Sequence, residues 1–95
     1  MLGIMQYEIS YTNRFRKDLR KCNKQKLDID KLRAAIELLQ SSGKLPAQYK
    51  AHKLKGSYDG LWECHLSPDW LLVWKQDDQK LTLLFMYTGT HSELF

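Results

Sequence analysis

Three histidines lie in the second half of the chain, each in a different segment. His52 falls in a lysine-rich loop, His65 ends an apolar run, and His91 stands in the C-terminal stretch TGTHSELF. An imidazole ring has an unperturbed pKa of about 6.5, so it can gain and lose a proton near neutral pH. General acid–base cleavage of a phosphodiester needs such a group on either side of the phosphorus. The three histidines are therefore candidate catalytic residues.

A tight turn brings an acidic side chain near one of these histidines. In the stretch GLWECHLSPDWLLVW, His65 and Asp69 stand on either side of the dipeptide Ser67-Pro68, between two apolar runs. Proline suits the second position of a turn and aspartate the third. A carboxylate at this place can orient an imidazole ring and determine which nitrogen carries the proton. Asp69 is therefore a candidate partner for a histidine, as well as an ordinary turn residue.

Taken singly, each of these residues has a plainer explanation, because a lone histidine is usually a surface residue and Asp69 is a good turn residue. Their joint placement beside the turns of one small sheet adds support for a shared site, and the plainer explanations stay open. A zinc site built from the three histidines is the weaker alternative, since intervals of 12 and 25 residues match no short metal motif. Cys64 and His65 are neighbours on a predicted strand and should face opposite sides of the sheet, which argues against a shared metal.

Cations and aromatic side chains that could hold RNA accompany the histidines. Lys53 and Lys55 follow His52, and Lys75 ends a later apolar run. These lysines are candidate phosphate ligands. Trp70 and Phe95 could stack on unpaired bases, although most aromatic residues of a small domain are core residues or loop anchors.

Positive charge is concentrated in the first half of the chain. The formal net charge is +4, and residues 13–33 contain nine lysines and arginines against three aspartates. A surface with this excess attracts a phosphate backbone or an acidic protein partner. The alternative is an ordinary solvated helix surface.

The elements that must carry these residues follow from hydrophobic periodicity. The chain of 95 residues is predicted to form one domain of the α/β (α+β) class, spanning residues 1–95. Two helices with one apolar stripe each are expected to pack on one face of an antiparallel sheet, which leaves the other face for a site. The expected order is a strand at 6–11, a helix capped by Thr12 or Asn13, a helix from Asp28 or Asp30 to 41–43, a loop at 44–60, and strands at 61–66, 70–75 and 81–88.

The composition also indicates the cellular compartment of the protein. No apolar run approaches the roughly 20 residues of a membrane span. The first ten residues lack a basic leader, so we interpret them as a strand rather than a signal peptide. The two cysteines, Cys22 and Cys64, form no disulfide framework and are expected to be reduced in a cytoplasmic protein.

Three motifs occur together around the histidines: H-x-L-x-G at His52, H-x-x-P-D-W at His65 and G-T-H-x-x-L-F at His91. With the helical layout of the first half, they resemble the YafQ branch of the RelE-type bacterial toxins over nearly the whole chain. The resemblance implies a twisted antiparallel sheet with two helices on one face, in agreement with the periodicity. It implies a type II toxin that cuts translated mRNA on the ribosome without a cofactor or metal. It also implies a cognate RelB- or DinJ-like antitoxin, with an acidic segment that inhibits the toxin.

The resemblance assigns roles to individual residues. His52, His65, Asp69 and His91 would serve the cleavage, and Phe95 matches an aromatic residue near the family's site. The chain departs from the family at Tyr87, where an arginine is common. Tyrosine offers a hydrogen bond but no charge at neutral pH. One lost transition-state contact can cost about 3–4 kcal/mol, so either a lysine such as Lys53, Lys55 or Lys75 replaces that charge or the enzyme is slower.

Two other functions are compatible with the same residues. One is a non-catalytic module of this fold that binds RNA, the ribosome or the antitoxin. The other is a protein-interaction domain whose basic helices bind an acidic partner and whose histidines are incidental.

Overall fold

Residues 6–58 and 60–94 are described in a computed structural model of the chain. The strands are β1 (Glu8–Tyr11), β2 (His52–Lys53), β3 (Trp62–Ser67), β4 (Trp70–Asp77) and β5 (Thr82–Gly89). The helices are α1 (Asn13–Lys24), α2 (Ile29–Ser42) and α3 (His91–Leu94). No helix in the described residues has the length and apolar character needed to cross a membrane.

The two long helices begin at side chains that satisfy free backbone N–H groups. Thr12 caps α1, and its hydroxyl accepts a hydrogen bond from the N–H of Phe15. Asp28 caps α2 through the N–H of Asp30. Substituting such a cap by alanine costs about 1 kcal/mol. The helix α2 ends at Gly43, whose φ of 72° is a left-handed conformation that glycine adopts without a Cβ clash. The predicted starts of both helices and the predicted end of α2 are therefore confirmed.

The sheet has five strands in the order β1-β5-β4-β3-β2. Strands β3, β4 and β5 form the predicted antiparallel meander. The expected count of four strands is one too low, because β2 pairs with β3 as a short edge strand inside the expected loop. A strand of two residues is too short to show alternation in the sequence. The strand β1 pairs with β5 in parallel, so the sheet is mixed rather than wholly antiparallel.

A hydrophobic core fills the space between the helices and the sheet. Its fully buried side chains include Phe15 of α1, Leu39 of α2, Trp74 of β4 and Phe85 of β5. Burial of each such side chain contributes about 1.5–3 kcal/mol relative to leaving it exposed. This core confirms that α1 and α2 cover the same face of the sheet.

The sheet face away from α1 and α2 is called the open face below. Side chains of β4 alternate between the two faces. Trp74 lies in the helix-side core, whereas Leu71 and Val73 lie in a second, smaller apolar cluster on the open face. Leu94 of α3 packs against this second cluster and joins the C-terminal segment to the open face.

Candidate active site

One row of paired residues crosses the open face. His52 on β2 pairs with Glu63 on β3, Glu63 pairs with Val73 on β4, and Val73 pairs with Tyr87 on β5. Directly paired residues project to the same face of a sheet, and neighbouring strands lie about 4.8 Å apart. His52, Glu63 and Tyr87 therefore share one surface.

A β-bulge on β5 turns Tyr87 toward the open face. Phe85 pairs with Trp74, but the next pair joins Tyr87 to Val73, so Met86 is an extra residue on β5. Phe85 consequently lies in the helix-side core and Tyr87 in the cluster of the open face. Strict alternation would have put both on the same side. Burial raises the pKa of Tyr87, so its ring carries no charge at neutral pH.

His65 lies in the next row of the open face. It pairs with Leu71 on β4, which in turn pairs with Gly89 on β5. The half-buried His65 side chain borders two small cavities of about 250 and 270 Å³, and Gln48 lines both of them. Lys50 lines the larger of the two, so a cation lies close to the space that His65 faces.

Asp69 connects the β3–β4 turn to the segment that carries His91. The main-chain N–H of His91 donates to Oδ1 of Asp69 across 3.4 Å. The sequence predicts a contact between Asp69 and an imidazole ring, whereas this contact acts on the main chain of His91. Asp69 therefore restrains the position of His91 at the start of α3.

The short helix α3 is stabilised by a capping box, in which the side chains of Thr90 and Glu93 each accept a hydrogen bond from the backbone N–H of the other residue. The N–H of Thr90 donates to Oε1 of Glu93 across 2.9 Å, and the N–H of Glu93 donates to the Thr90 hydroxyl across 3.3 Å. Lys21 of α1 pairs with Oε2 of Glu93 at 2.6 Å. The Lys21 ammonium group, followed by the hydrogen bonds from Thr90, lowers the pKa of Glu93 to about 2. These contacts attach the helix that carries His91 to α1.

His52 is held by two acceptors. Its Nδ1 lies 2.9 Å from the carbonyl oxygen of Lys50, and its Nε2 lies 3.3 Å from Oε1 of Glu63. Glu63 is only 7% exposed, although it carries a carboxylate. Sequence reasoning missed Glu63, even though the alternation Glu63-Cys64-His65 puts it on the same face as His65.

The predicted RNA-binding residues are distributed over several surfaces. Lys53 lies over the ring of Trp62 at 5.6 Å, and Trp62 packs against the helix-side core. Trp70 is 2% exposed and donates its indole N–H to the Thr88 hydroxyl across 3.0 Å. The structure therefore brings neither Lys53 nor Trp70 to the open face, and Trp70 supports β5 from the helix side.

Two further lysines of the predicted set are exposed. Lys55 follows β2, and Lys75 lies on β4 opposite Leu84. Lys75 is two residues from Val73 and so projects to the open face. Phe95 lies outside the described residues. Within the described ranges, no group of three or more histidines, cysteines or acidic residues could hold a metal ion.

Comparisons with known proteins agree with this architecture. A family model described as bacterial toxin of type II toxin-antitoxin system, YafQ, matches residues 7–95. The mRNA interferase toxin YafQ of Escherichia coli strain K12 is 39% identical over 93 residues, which cover 97% of this chain and 99% of that protein. A crystal structure of an E. coli YafQ mutant has a TM-score of 0.87 and 38% identity, and the match covers 95% of this chain and 99% of that one.

The E. coli DinJ–YafQ toxin–antitoxin complex also contains a similar chain. Its TM-score is 0.86 at 40% identity, with 95% of this chain and 98% of that chain covered. Together, the fold and these matches define a small α+β toxin of a type II toxin–antitoxin system. Within that class, the chain belongs to the YafQ family.

Proposed function

We propose that this chain is a ribosome-dependent endoribonuclease that cuts translated mRNA by metal-independent general acid–base catalysis. The observation that carries the proposal is the arrangement of His52 and His65 on the open face, with His91 bonded through its main chain to Asp69 at the adjoining turn. The name of the E. coli relative, an mRNA interferase toxin, supports the same activity.

RNA carries its own nucleophile, and this determines what the protein must supply. A base removes the proton of the 2′-hydroxyl, and the resulting oxygen attacks the adjacent phosphorus in line. The bond from phosphorus to the 5′ oxygen breaks, and an acid protonates that leaving oxygen. The products are a 2′,3′-cyclic phosphate and a 5′-hydroxyl. Each well-placed proton-transfer group contributes roughly 10²–10⁴-fold to the rate.

The histidines divide these two roles according to their surroundings. His91 is the general acid in this proposal, and Asp69 keeps its main chain in position. His65 is the general base in this proposal, because its half-buried side chain lies on the open face and Lys50 lines a cavity beside it. His52 is the alternative base, but both of its ring nitrogens already lie near acceptors, the Lys50 carbonyl and Glu63.

The basic surface of residues 13–33 supplies binding in this proposal. It docks on ribosomal RNA and thereby brings the open face to the message in the decoding site. Binding of this kind releases condensed cations from phosphates and weakens as salt concentration rises. The partner that inhibits the toxin is a cognate DinJ-like antitoxin, as the complex of the E. coli relative suggests. Its acidic segment would compete with the ribosome for the same cationic surface.

A cell-free translation reaction followed by primer extension tests the activity. Wild type is compared with His91→Ala and with Gln79→Ala, which changes an exposed residue at the opposite end of the β4–β5 hairpin. Two messages are used, identical except that one lacks its start codon. We expect cuts inside translated codons with wild type and Gln79→Ala, and a loss of at least 100-fold with His91→Ala.

The outcomes separate the competing functions. Cuts in both messages would contradict ribosome dependence. A folded wild-type protein that binds ribosomes but cuts neither message would establish a non-catalytic binding module. An unchanged rate in His91→Ala would overturn the assignment of His91 as the general acid.

A further inference from the structure

Side chains at the start of α1 form hydrogen bonds with the edge of β5 beyond the last residue that pairs with β1. Pairing between β1 and β5 stops at Phe85. Beyond it, the Thr12 hydroxyl donates to the Met86 carbonyl across 2.6 Å, and the N–H of Thr88 donates to Oδ2 of Asp18 across 3.2 Å. Side chains of the helix therefore satisfy backbone groups next to the bulge, and the first turns of α1 lie beside the residues that enter the open face.

Arg14 extends from this edge to the open face. Its guanidinium carbon lies 4.6 Å from the centre of the Tyr87 ring, and its Nε lies 3.6 Å from Oδ2 of Asp18. Asp18 is itself bonded to the Thr88 backbone, so the ion pair has a fixed anchor. The flat guanidinium is thus positioned by an aromatic face and a carboxylate.

The same group remains able to bind an anion. The Arg14 side chain is 52% exposed, whereas that of Asp18 is 18% exposed. A guanidinium has five N–H donors in a planar fork, and one carboxylate near Nε leaves donors for a second anion. This fork matches two oxygens of a phosphate, which is the geometry that makes arginine a preferred phosphate ligand.

The position of Arg14 relates it to the candidate active site. Tyr87 lies in the same cross-strand row as Glu63 and His52, and two strand spacings, about 10 Å, separate it from Glu63. Gly89, in the row of His65, is about 7 Å farther along β5. An RNA chain that passes the histidines would therefore reach Arg14 within the length of a few nucleotides.

We propose that Arg14, stacked on Tyr87 and paired with Asp18, binds a backbone phosphate of the RNA substrate at the active site. This inference rests on the proposed ribonuclease function. It assigns a role in binding the substrate to a residue of the first helix, outside the motif-bearing half of the chain. Asp18 and Tyr87 are positioning residues in this arrangement.

The test compares Arg14→Gln and Arg14→Lys with Lys80→Gln. Lys80→Gln removes the same unit charge in the turn at the far end of the β4–β5 hairpin. Cleavage is measured in the translation reaction. Affinity is measured, as a function of salt, for ribosomes programmed with a message that is 2′-O-methylated in the decoding site and cannot be cut. Melting temperatures are recorded for every variant.

We expect Arg14→Gln to lower the cleavage rate at least 100-fold and to reduce the slope of log affinity against log salt by about 0.7–1. Arg14→Lys should keep the salt slope but cleave about tenfold more slowly, because a lysine lacks the planar fork. Lys80→Gln should change neither quantity. If Arg14→Gln cleaved at the wild-type rate and kept the wild-type salt slope, the inference would be overturned, even if the melting temperature of the variant were lower. If wild type itself failed to cleave, the proposed function would fail, and the inference with it.

Discussion

The main-chain N–H of His91 donates to Oδ1 of Asp69, a residue 22 positions earlier in the chain, across 3.4 Å. This contact joins the turn of the β3–β4 hairpin to the helix that begins at His91. It shows that Asp69 contacts the main chain of His91, which the motif H-x-x-P-D-W alone does not reveal. The difference between a main-chain role and an imidazole-orienting role is open to experiment.

Substitutions of Asp69 distinguish these two roles. An amide oxygen still accepts a hydrogen bond from a backbone N–H, so Asp69→Asn should keep cleavage within about tenfold of wild type. Asp69→Ala removes the acceptor, and a misplaced catalytic group can cost about 100-fold in rate. Single-turnover cleavage measures both. Equal losses for the two variants would instead indicate that the carboxylate charge acts on an imidazole ring.

Glu63 and His52 are expected to act as a unit. Glu63→Gln keeps the size of the side chain but removes the charge near Nε2 of His52. Residues in direct contact show coupling energies of about 0.5–3 kcal/mol, so the double variant with His52→Ala should lose less activity than the two single losses combined. Cleavage rates of the four proteins measure this coupling. Strictly additive losses would show that the two side chains work independently.

The attachment of α3 to α1 should depend on pH. The Lys21 ammonium group and the Thr90 hydrogen bonds lower the pKa of Glu93 from its ordinary value of 4.5 to about 2. A group whose pKa is lower in the folded state stabilises that state above its unfolded pKa. The contribution is therefore complete above pH 4.5, decreases as pH falls and is absent below about pH 2. Urea unfolding of wild type and Glu93→Gln should differ most near pH 7 and converge near pH 2. A constant difference across this range would contradict the assignment.

Both cysteines should resist thiol reagents in the folded protein. Burial raises the pKa of Cys64 to about 12, and burial also raises the pKa of Cys22. The thiolate is the reactive form, so iodoacetamide should alkylate almost none of the native protein at pH 7–8. Two equivalents should react after unfolding in urea, since the chain contains two cysteines. Rapid native labelling, detected by mass spectrometry, would show that the helix-side core opens frequently.

Local sequence patterns predict the elements of this fold and several of their ends. The capping side chains Thr12 and Asp28, the terminating Gly43 and the apolar stripes of both helices depend on residues a few positions apart. The meander is equally local, because each hairpin joins consecutive apolar runs. These local features explain why the sequence predicts that the helices cover one face of the sheet and that the histidines lie in the sheet half of the chain.

The pairing of the strands is harder to predict from the sequence. The strand β1 pairs with residues 74 positions later in the chain, as Glu8 with Thr82, and nothing in the pattern of either segment reveals that they run in parallel. The edge strand β2 is two residues long and depends on the neighbouring β3 for its hydrogen bonds. Pairing of this kind is a property of two segments together, so one segment alone does not encode it.

The sequence by itself determined the family, the order of the main elements, and the identity of the candidate residues His52, His65, Asp69 and His91. Only the tertiary structure decided which side chains share a surface. A single extra residue in β5 moves Tyr87 to the open face, because a bulge reverses the alternation of every side chain that follows it. The contacts of Arg14 with Tyr87 and of Glu63 with His52 each join two different elements, and only the folded protein brings those elements together.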